Sequence, residues 1–525
     1  MPELRIQYRL AIWLPWLLYV AHALPYGDWL VDDAGISLAY ARSAAEGHGL
    51  VAQPGRAPVE AYSNPLWVFL ITASMWLGWF QVYLAPKLLA ALCTLGTYAV
   101  LGISLRNHHG FTPKQIGLVL ALLSLNGPWV VWLNCGLENP LYALLIAVQI
   151  WLSLRLLRTP LTRTLLLSGV AAGGLVMVRP DGMLFSLVVP LGLLCNRMPA
   201  TRKVDHMALW GIGWLLTAGA YLGLRKSHFA SVLPTAFLAK PSLELTWLVD
   251  PLKWHHLFRA VAGPLGGLLA LLLLGAVGWL LYRRALTRRT VIWLVHLGGA
   301  VLVFLLLPYD HLGWYRYATP FLLLAYPVGA ALLQDAVPHL PWRWRLYEVR
   351  MTLLALLLVG TASLGGWVMQ RRLADPPVPL AEVRRRYVQP IDALSERLKL
   401  RHPSLLVPDA GAPLWYGHAE VYDCLGLLDT TLALSFMRDT ARYRERVLAE
   451  IQPTFVALHG PWVEEVALLD APRFQRDYVQ LSARYDPDTL PGPTPMLFVR
   501  REAVVRPLAE RAWRDLCQER GWRCE

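Results

Sequence analysis

Over roughly the first 370 residues, long apolar stretches alternate with short polar breaks that are mostly basic. The apolar runs lie near 8–25, 65–105, 116–134, 137–157, 163–178, 181–197, 206–224, 258–283, 290–307, 316–335 and 350–369. A helix needs about 20 apolar residues to cross a bilayer, so each run predicts a crossing, and 65–105 is long enough for two. Basic clusters at 155–163, 197–203, 283–289 and 343–350 belong inside by the charge asymmetry of membrane proteins. The loops between them, 28–64, 134–140, 179–182, 225–256 and 308–315, then fall outside, together with everything after about 370. For the loops to alternate, one of the two helices in 65–105 is re-entrant or interfacial, or the basic segment 106–114 is not an inner loop. The pattern predicts about 11 to 13 spans.

From about Asp375 the pattern changes to that of a small α/β domain. VRRRYVQPIDALSERLKLR has the spacing of an amphipathic helix, and SLLVPDAG and PTFVALHG have that of short buried strands followed by turns. The predicted architecture is therefore mostly α. A polytopic transmembrane bundle spans 1–370, with a first outer loop at 26–64, and an extracytoplasmic α/β domain spans 371–525. There is no internal repeat and no low-complexity tract. The N-terminus has a basic lead and an apolar core without a small-residue cleavage site, and reads as an uncleaved first span.

Composition agrees. The 525 residues are 56% hydrophobic and only 16% charged, with a mean hydropathy of +0.40, against roughly 25% charged for a soluble chain. The 23 tryptophans and 21 tyrosines suit membrane interfaces. The formal charge of +13 sits in the inner loops, so it reports topology and not a nucleic-acid partner. Of six cysteines, Cys93, Cys135 and Cys195 lie in or beside apolar segments and read as inert hydrophobes. Cys517 and Cys524 are close enough to pair if their domain lies outside the cytoplasm. No metal-ligand spacing of Cys and His occurs.

Chemistry-bearing residues crowd the outer loops. Asp32 and Asp33 precede a helical stretch, 34–46, that ends at Gly47. One of them reads as its N-cap, which leaves the other free to accept a proton from an attacking hydroxyl. With Ile36, Tyr40 and Ala44 along one side, the helix is expected to lie in the membrane interface. A long polar loop follows with His48, Glu60, Tyr62, Ser63 and Asn64. Further clusters hold Glu138; Arg179 and Asp181; Lys226, His228 and Lys240; and Asp310, His311, Tyr315, Arg316 and Tyr317. Arg179 and Asp181 read first as a local ion pair, and Arg316 and Lys240 as interfacial anchors. Cations bordering an outer cavity are also what a lipid-linked phosphate requires.

DDAGISLAYARSAAEGHGL followed by PGRAPVEAYSNPLW resembles the first outer loop of the GT-C glycosyltransferases, which use polyprenyl-phosphate sugars. The resemblance is to the terminal arabinofuranosyltransferases of mycobacterial cell-wall arabinan (AftB type) and related pilin arabinosyltransferases. Blocks at 32–36, 47–67, 135–141, 179–182, 233–240 and 316–320 follow in the same order, and VPDAGAPLWYGHAEVYDCLGLLD resembles the outer domain. Gly35, Ala57, Ser63 and Asn139 depart from the usual residues, which bears on sugar or acceptor identity.

The resemblance implies transfer of a sugar, D-arabinofuranose above all, from a polyprenyl phosphate to a glycan or pilin-like protein acceptor outside the bacterial inner membrane. It implies Asp32, the leading member, or Asp33 as base, and Arg316, Lys240 and His48 for the donor phosphate. Glu60, Glu138, Asp181, Arg179, Tyr62, Asn64 and His311 would bind sugar or acceptor. A divalent metal serves some relatives. The rival readings are a hexosyl- or aminosugar transferase of the same architecture acting on lipopolysaccharide or protein, and a lipid-linked sugar transporter. The absence of repeats and the charges in outer loops disfavour the transporter.

Overall fold

A computed structural model describes residues 2–158, 161–195, 199–239, 245–263, 266–308, 312, 315–339, 347–374, 376–482, 485–486, 496–504 and 506–524. The chain divides into two compact units, each built from separated segments. One comprises Met1–Asp28, Tyr83–Leu224 and Ser242–Pro377; the other comprises Trp29–Val82, Arg225–Pro241 and Val378–Glu525. The first outer loop and 225–241 thus belong with the C-terminal region, a grouping that a linear cut at 370 does not make.

The first unit is helical. Among the described residues, five helices are long and apolar enough to cross a membrane: Leu84–His109, Asn139–Leu156, Ala200–Phe229, Arg288–Leu306 and Arg316–Ala336. Shorter apolar helices accompany them, and the chain folds as a multi-pass membrane protein. Several expected runs are broken, each for a local reason. The run 116–134 becomes Pro113–Leu125 and Gly127–Asn134, bent by 69°. At the break Asn126 caps the second helix by accepting from Trp129 N, and Pro128 follows in its first turn. The run 258–283 splits into Pro251–Ala262 and Gly266–Tyr282 at Gly263. Helices Thr162–Val178 and Ala200–Trp214 approach backbone to backbone. A Cβ on Gly169 would stand 2.0 Å from Trp210 O, and one on Gly213 would stand 2.2 Å from Leu166 O. Small residues let helices associate in lipid through such contacts.

In the second unit, helix Asp33–Ala45 packs on Pro65–Trp76, the first part of the double-length run. With 12 residues, Pro65–Trp76 is too short to cross a bilayer. The expectation that Asp33–Ala45 lies with one face in lipid is corrected: Ala34, Gly35, Ile36, Ser37, Leu38, Ala39, Tyr40, Ala41 and Ser43 are all buried.

The remainder is a mixed sheet with helices. The strands are β1 (Ser404–Val407), β2 (Glu420–Asp423), β3 (Phe455–Leu458), β4 (Tyr478–Ser482), β5 (Tyr485–Asp486), β6 (Met496–Arg500) and β7 (Arg523–Cys524). The main sheet has the order β2-β1-β3-β6-β4, while β5 and β7 pair separately. Strands β2, β1 and β3 are parallel, and β6 and β4 add antiparallel. One face carries a core of Leu406, Val456, Leu458, Phe436, Tyr443, Phe474 and Phe498. The two strands expected from SLLV and FVAL are β1 and β3. The expected amphipathic helix is present as Leu380–Val383 and Gln389–Arg397 around a wide π-turn, Arg384–Val388. Pro390, which lacks an N–H for an ordinary helical bond, follows that turn. Cys517 is disulfide-bonded, whereas Cys93, Cys135, Cys195 and Cys424 are free.

Candidate active site

The aspartate pair belongs to the second unit. Its backbone is pinned on the N-terminal side by an antiparallel bridge, Val31 to Pro379, in which Asp32 N donates to Val378 O and Leu380 N donates to Leu30 O. Asp32 occupies the N-cap position of Asp33–Ala45, but its side chain does not cap that helix. This corrects the expected capping role. The buried carboxylate turns instead to helix Gly411–Tyr416 and accepts from Gly411 N and Ala412 N, each at 2.7 Å. The approach depends on two glycines. A Cβ on Gly35 would lie 2.4 Å from Gly411 O, and one on Gly411 would lie 1.8 Å from Asp32 O. Gly35 and Gly411 together let helix Gly411–Tyr416 reach Asp32.

The parallel strands bring three further groups to this place. Asp409 follows β1, Asp423 ends β2 and His459 follows β3, all at carboxyl ends of parallel strands, where open α/β sheets hold their ligands. His459 Nε2 lies 2.8 Å from Asp409 Oδ2. Asp423 accepts from Leu425 N at 3.1 Å and Leu427 N at 2.6 Å. Burial, and after it the charge of Asp409, pushes the Asp32 carboxyl well above the ordinary carboxylate range, while the two N–H donors hold it down. Burial also pushes Asp423 up to about 7, with Asp33 and Asp409 adding to the effect. Asp33 is partly exposed.

The loop residues hold the chain in place around this pair. Glu60 forms a buried ion pair with Arg225, with Nε to Oε2 at 2.6 Å and Nη2 to Oε1 at 3.1 Å. Its carbonyl accepts from Thr235 N and Oγ1. Tyr62 packs edge-on against Tyr40 at 4.7 Å and against Phe229. Ser37 Oγ donates to Asn64 Oδ1 at 3.1 Å, and Ala61 N donates to Tyr40 Oη. His48 stands apart, largely exposed beside Glu46 at 3.7 Å.

In the first unit, Glu138, Arg179 and Asp181 come together. Arg179 Nη1 donates to Glu138 Oε1 at 3.0 Å and Nε donates to Asp181 Oδ1 at 3.0 Å, so the expected ion pair with Asp181 is present and Glu138 joins it. The guanidinium lies between the rings of Tyr142 and Tyr317, 5.5 and 5.3 Å from their centroids. Tyr142 Oη donates to Asp181 Oδ2. Arg316, in a short turn after Tyr315, acts electrostatically on Arg179 and stands over the Tyr317 ring. Lys240 and His311 lie outside the described residues. Among the described residues, no three His, Cys, Asp or Glu side chains converge as a metal would require.

Sequence reading did not single out Asp409, His459 or Arg225. The first two were legible in principle, since each directly follows a stretch that reads as a buried strand. Arg225, at the edge of a long outer loop, gives no such signal.

No protein-family model matches the sequence, and no curated protein matches it. Solved structures do. ArnT from Cupriavidus metallidurans, bound to undecaprenyl phosphate, superposes with a TM-score of 0.56 at 13% identity, over 94% of this chain and 98% of the other. The oligosaccharyltransferase of Archaeoglobus fulgidus, in complex with zinc and sulfate, gives 0.51 at 12%, over 92% and 73%. The mycobacterial arabinofuranosyltransferase AftD gives 0.52 at 14%, over 94% of this chain and 41% of that much longer one. With helices forming a multi-pass bundle and a small mixed sheet following them, this chain has the fold of the GT-C membrane glycosyltransferases.

Proposed function

We propose that this protein is a membrane glycosyltransferase. It moves a sugar, D-arabinofuranose, from a polyprenyl-phosphate donor to a glycan or pilin-like protein acceptor outside the bacterial inner membrane. The observation that carries the reading is the fixed aspartate pair: Asp32 is locked by two backbone donors beside Asp409, which leaves Asp33 as the partly exposed carboxylate next to it. The fold likeness to a transferase bound to undecaprenyl phosphate supports the donor class, and the likeness to AftD supports the sugar.

In this reading Asp33 is the base and Asp32 positions it. Asp33 takes the proton of the acceptor hydroxyl as that oxygen bonds to the anomeric carbon. The bond from that carbon to the phosphate oxygen breaks, and polyprenyl phosphate leaves with the electron pair. Phosphate is stable enough as a leaving group that no general acid is required. The purified protein should convert radiolabelled polyprenyl-phosphoarabinose in the presence of acceptor, and Asp33→Asn should not. Full turnover in Asp33→Asn removes it as the base, and turnover only with a hexosyl donor overturns the sugar.

A further inference from the structure

Met437 occupies a poor place for a methionine in water. Helix Thr430–Ser435 ends at Phe436, and Met437 then takes the left-handed conformation, φ 54°, where glycine is the usual residue. Phe436 turns into the core, whereas Met437 is 71% exposed. Leu434, in the last turn of the helix, is exposed as well. The turn itself is satisfied by its backbone, since Arg438 N and Asp439 N both donate to Ser435 O. Nothing in that turn requires a large apolar side chain at 437.

Segment 230–238 lies against this helix. Thr235 Oγ1 donates to Leu427 O at 2.6 Å, and Arg438 Nη1 donates to Leu238 O at 2.9 Å. The short helix Thr235–Leu238 packs on Thr430–Ser435. Val232, Leu233, Phe237, Leu434 and Met437, each at least 40% exposed, thus stand on two segments packed together. Monomeric proteins rarely leave a patch of that kind to water.

The chain sets the level of the patch. Helix Ala200–Phe229 is long and apolar enough to cross a membrane, and its apolar run ends at Leu224. Arg225, the next residue, donates from Nη1 to Val232 O at 3.1 Å. Lys226 Nζ donates to Ala230 O in the same reversal. The loop therefore folds back onto the end of the apolar run, which brings Val232 beside it. Lys226 and His228 are exposed here, and Arg438 borders the patch through Leu238. Cations rimming apolar side chains at the end of a span match a layer of lipid phosphates above acyl chains.

We propose that these five residues form a membrane-contacting face, set into the leaflet in which helix Ala200–Phe229 ends. Interfacial apolar faces reach about 5–10 Å into the boundary between headgroups and acyl chains. The buried Glu60–Arg225 pair and the bonds from Thr235 to Glu60 O join this face to the loop that begins with Asp32 and Asp33. The face would hold that loop at the membrane surface. The inference does not depend on the transferase reading.

The test is site-directed spin labelling of the full-length protein in phosphatidylcholine nanodiscs. Cys195→Ser first removes the exposed free cysteine. Labels then go singly on Phe237→Cys, Leu434→Cys and Met437→Cys. The reference is His402→Cys, exposed just before β1 at the amino end of the parallel strands, whereas helix Thr430–Ser435 follows the carboxyl end of β2. All four are surface positions, so the variants should fold like wild type. Relative to the label at 402, those at 237, 434 and 437 should show a several-fold higher ratio of collisions with oxygen to collisions with an aqueous nickel chelate. A ratio at 434 and 437 equal to that at 402 puts the face in water and overturns the proposal, even if 237 alone reports lipid. Protection from oxygen and nickel together means that a second copy or another protein covers the face, and overturns it as well.

Discussion

Replacing Asp32 and Asp33 separately by asparagine distinguishes positioning from catalysis. Asp32 is buried, and both its oxygens accept from backbone N–H groups at 2.7 Å. Asparagine keeps one acceptor and turns an NH2 toward the other donor. One buried N–H is then left without a partner, which costs about 1–3 kcal/mol. For a unit of this size that lowers the unfolding midpoint by about 2–4 °C per kcal/mol. Asp33 is partly exposed in the first turn of its helix, so Asp33→Asn should cost less stability than Asp32→Asn. If Asp33 is the base, Asp33→Asn should lose about 10²- to 10⁴-fold in turnover while still binding donor. Thermal unfolding and radiolabel transfer, run on the same preparations, read the two effects. The reasoning is refuted if Asp32→Asn unfolds like wild type while losing turnover, or if Asp33→Asn remains active.

Other perturbations test the frame around the pair. Arg225→Ala strands the Glu60 carboxylate without its buried partner and should cost about 3–5 kcal/mol; chemical denaturation, with Glu60→Gln as a milder companion, measures it. Gly35→Ala forces a Cβ to within 2.4 Å of Gly411 O and should cost about 1–3 kcal/mol; a denaturation midpoint equal to wild type would show that the two helices separate easily. Because burial raises Asp423 to about 7 in the folded state, its contribution to stability is full below about pH 4 and is lost as pH rises through about 7. Wild type should therefore lose stability relative to Asp423→Asn across that window, and parallel pH curves for the two would exclude the effect.

Much of the architecture was legible along the chain, because lipid imposes a one-dimensional rule: a crossing helix must satisfy its own backbone and present about 20 apolar residues. The change of pattern near residue 375 was equally plain, and β1 and β3 show as short apolar runs between turns. Breaks within runs were less visible. Asn126 is one of few polar residues in an apolar segment, and the 69° bend falls where its side chain accepts from Trp129 N. The candidate site divides in the same way. Asp32 and Asp33 stand out as carboxylates at the edge of an apolar stretch, and Arg179 with Asp181 as neighbours two residues apart.

What the sequence by itself determined is which residues carry charge and which segments avoid water. What only the tertiary structure decided is which carboxylate is buried and which is partly exposed. By spacing alone, one of Asp32 and Asp33 is a cap for the helix that follows and the other is spare. In the fold the Asp32 oxygens go to Gly411 and Ala412, residues 379 and 380 positions away. The reason is physical: a buried carboxylate takes the nearest unsatisfied donors in space, and two facing glycines bring those donors within reach.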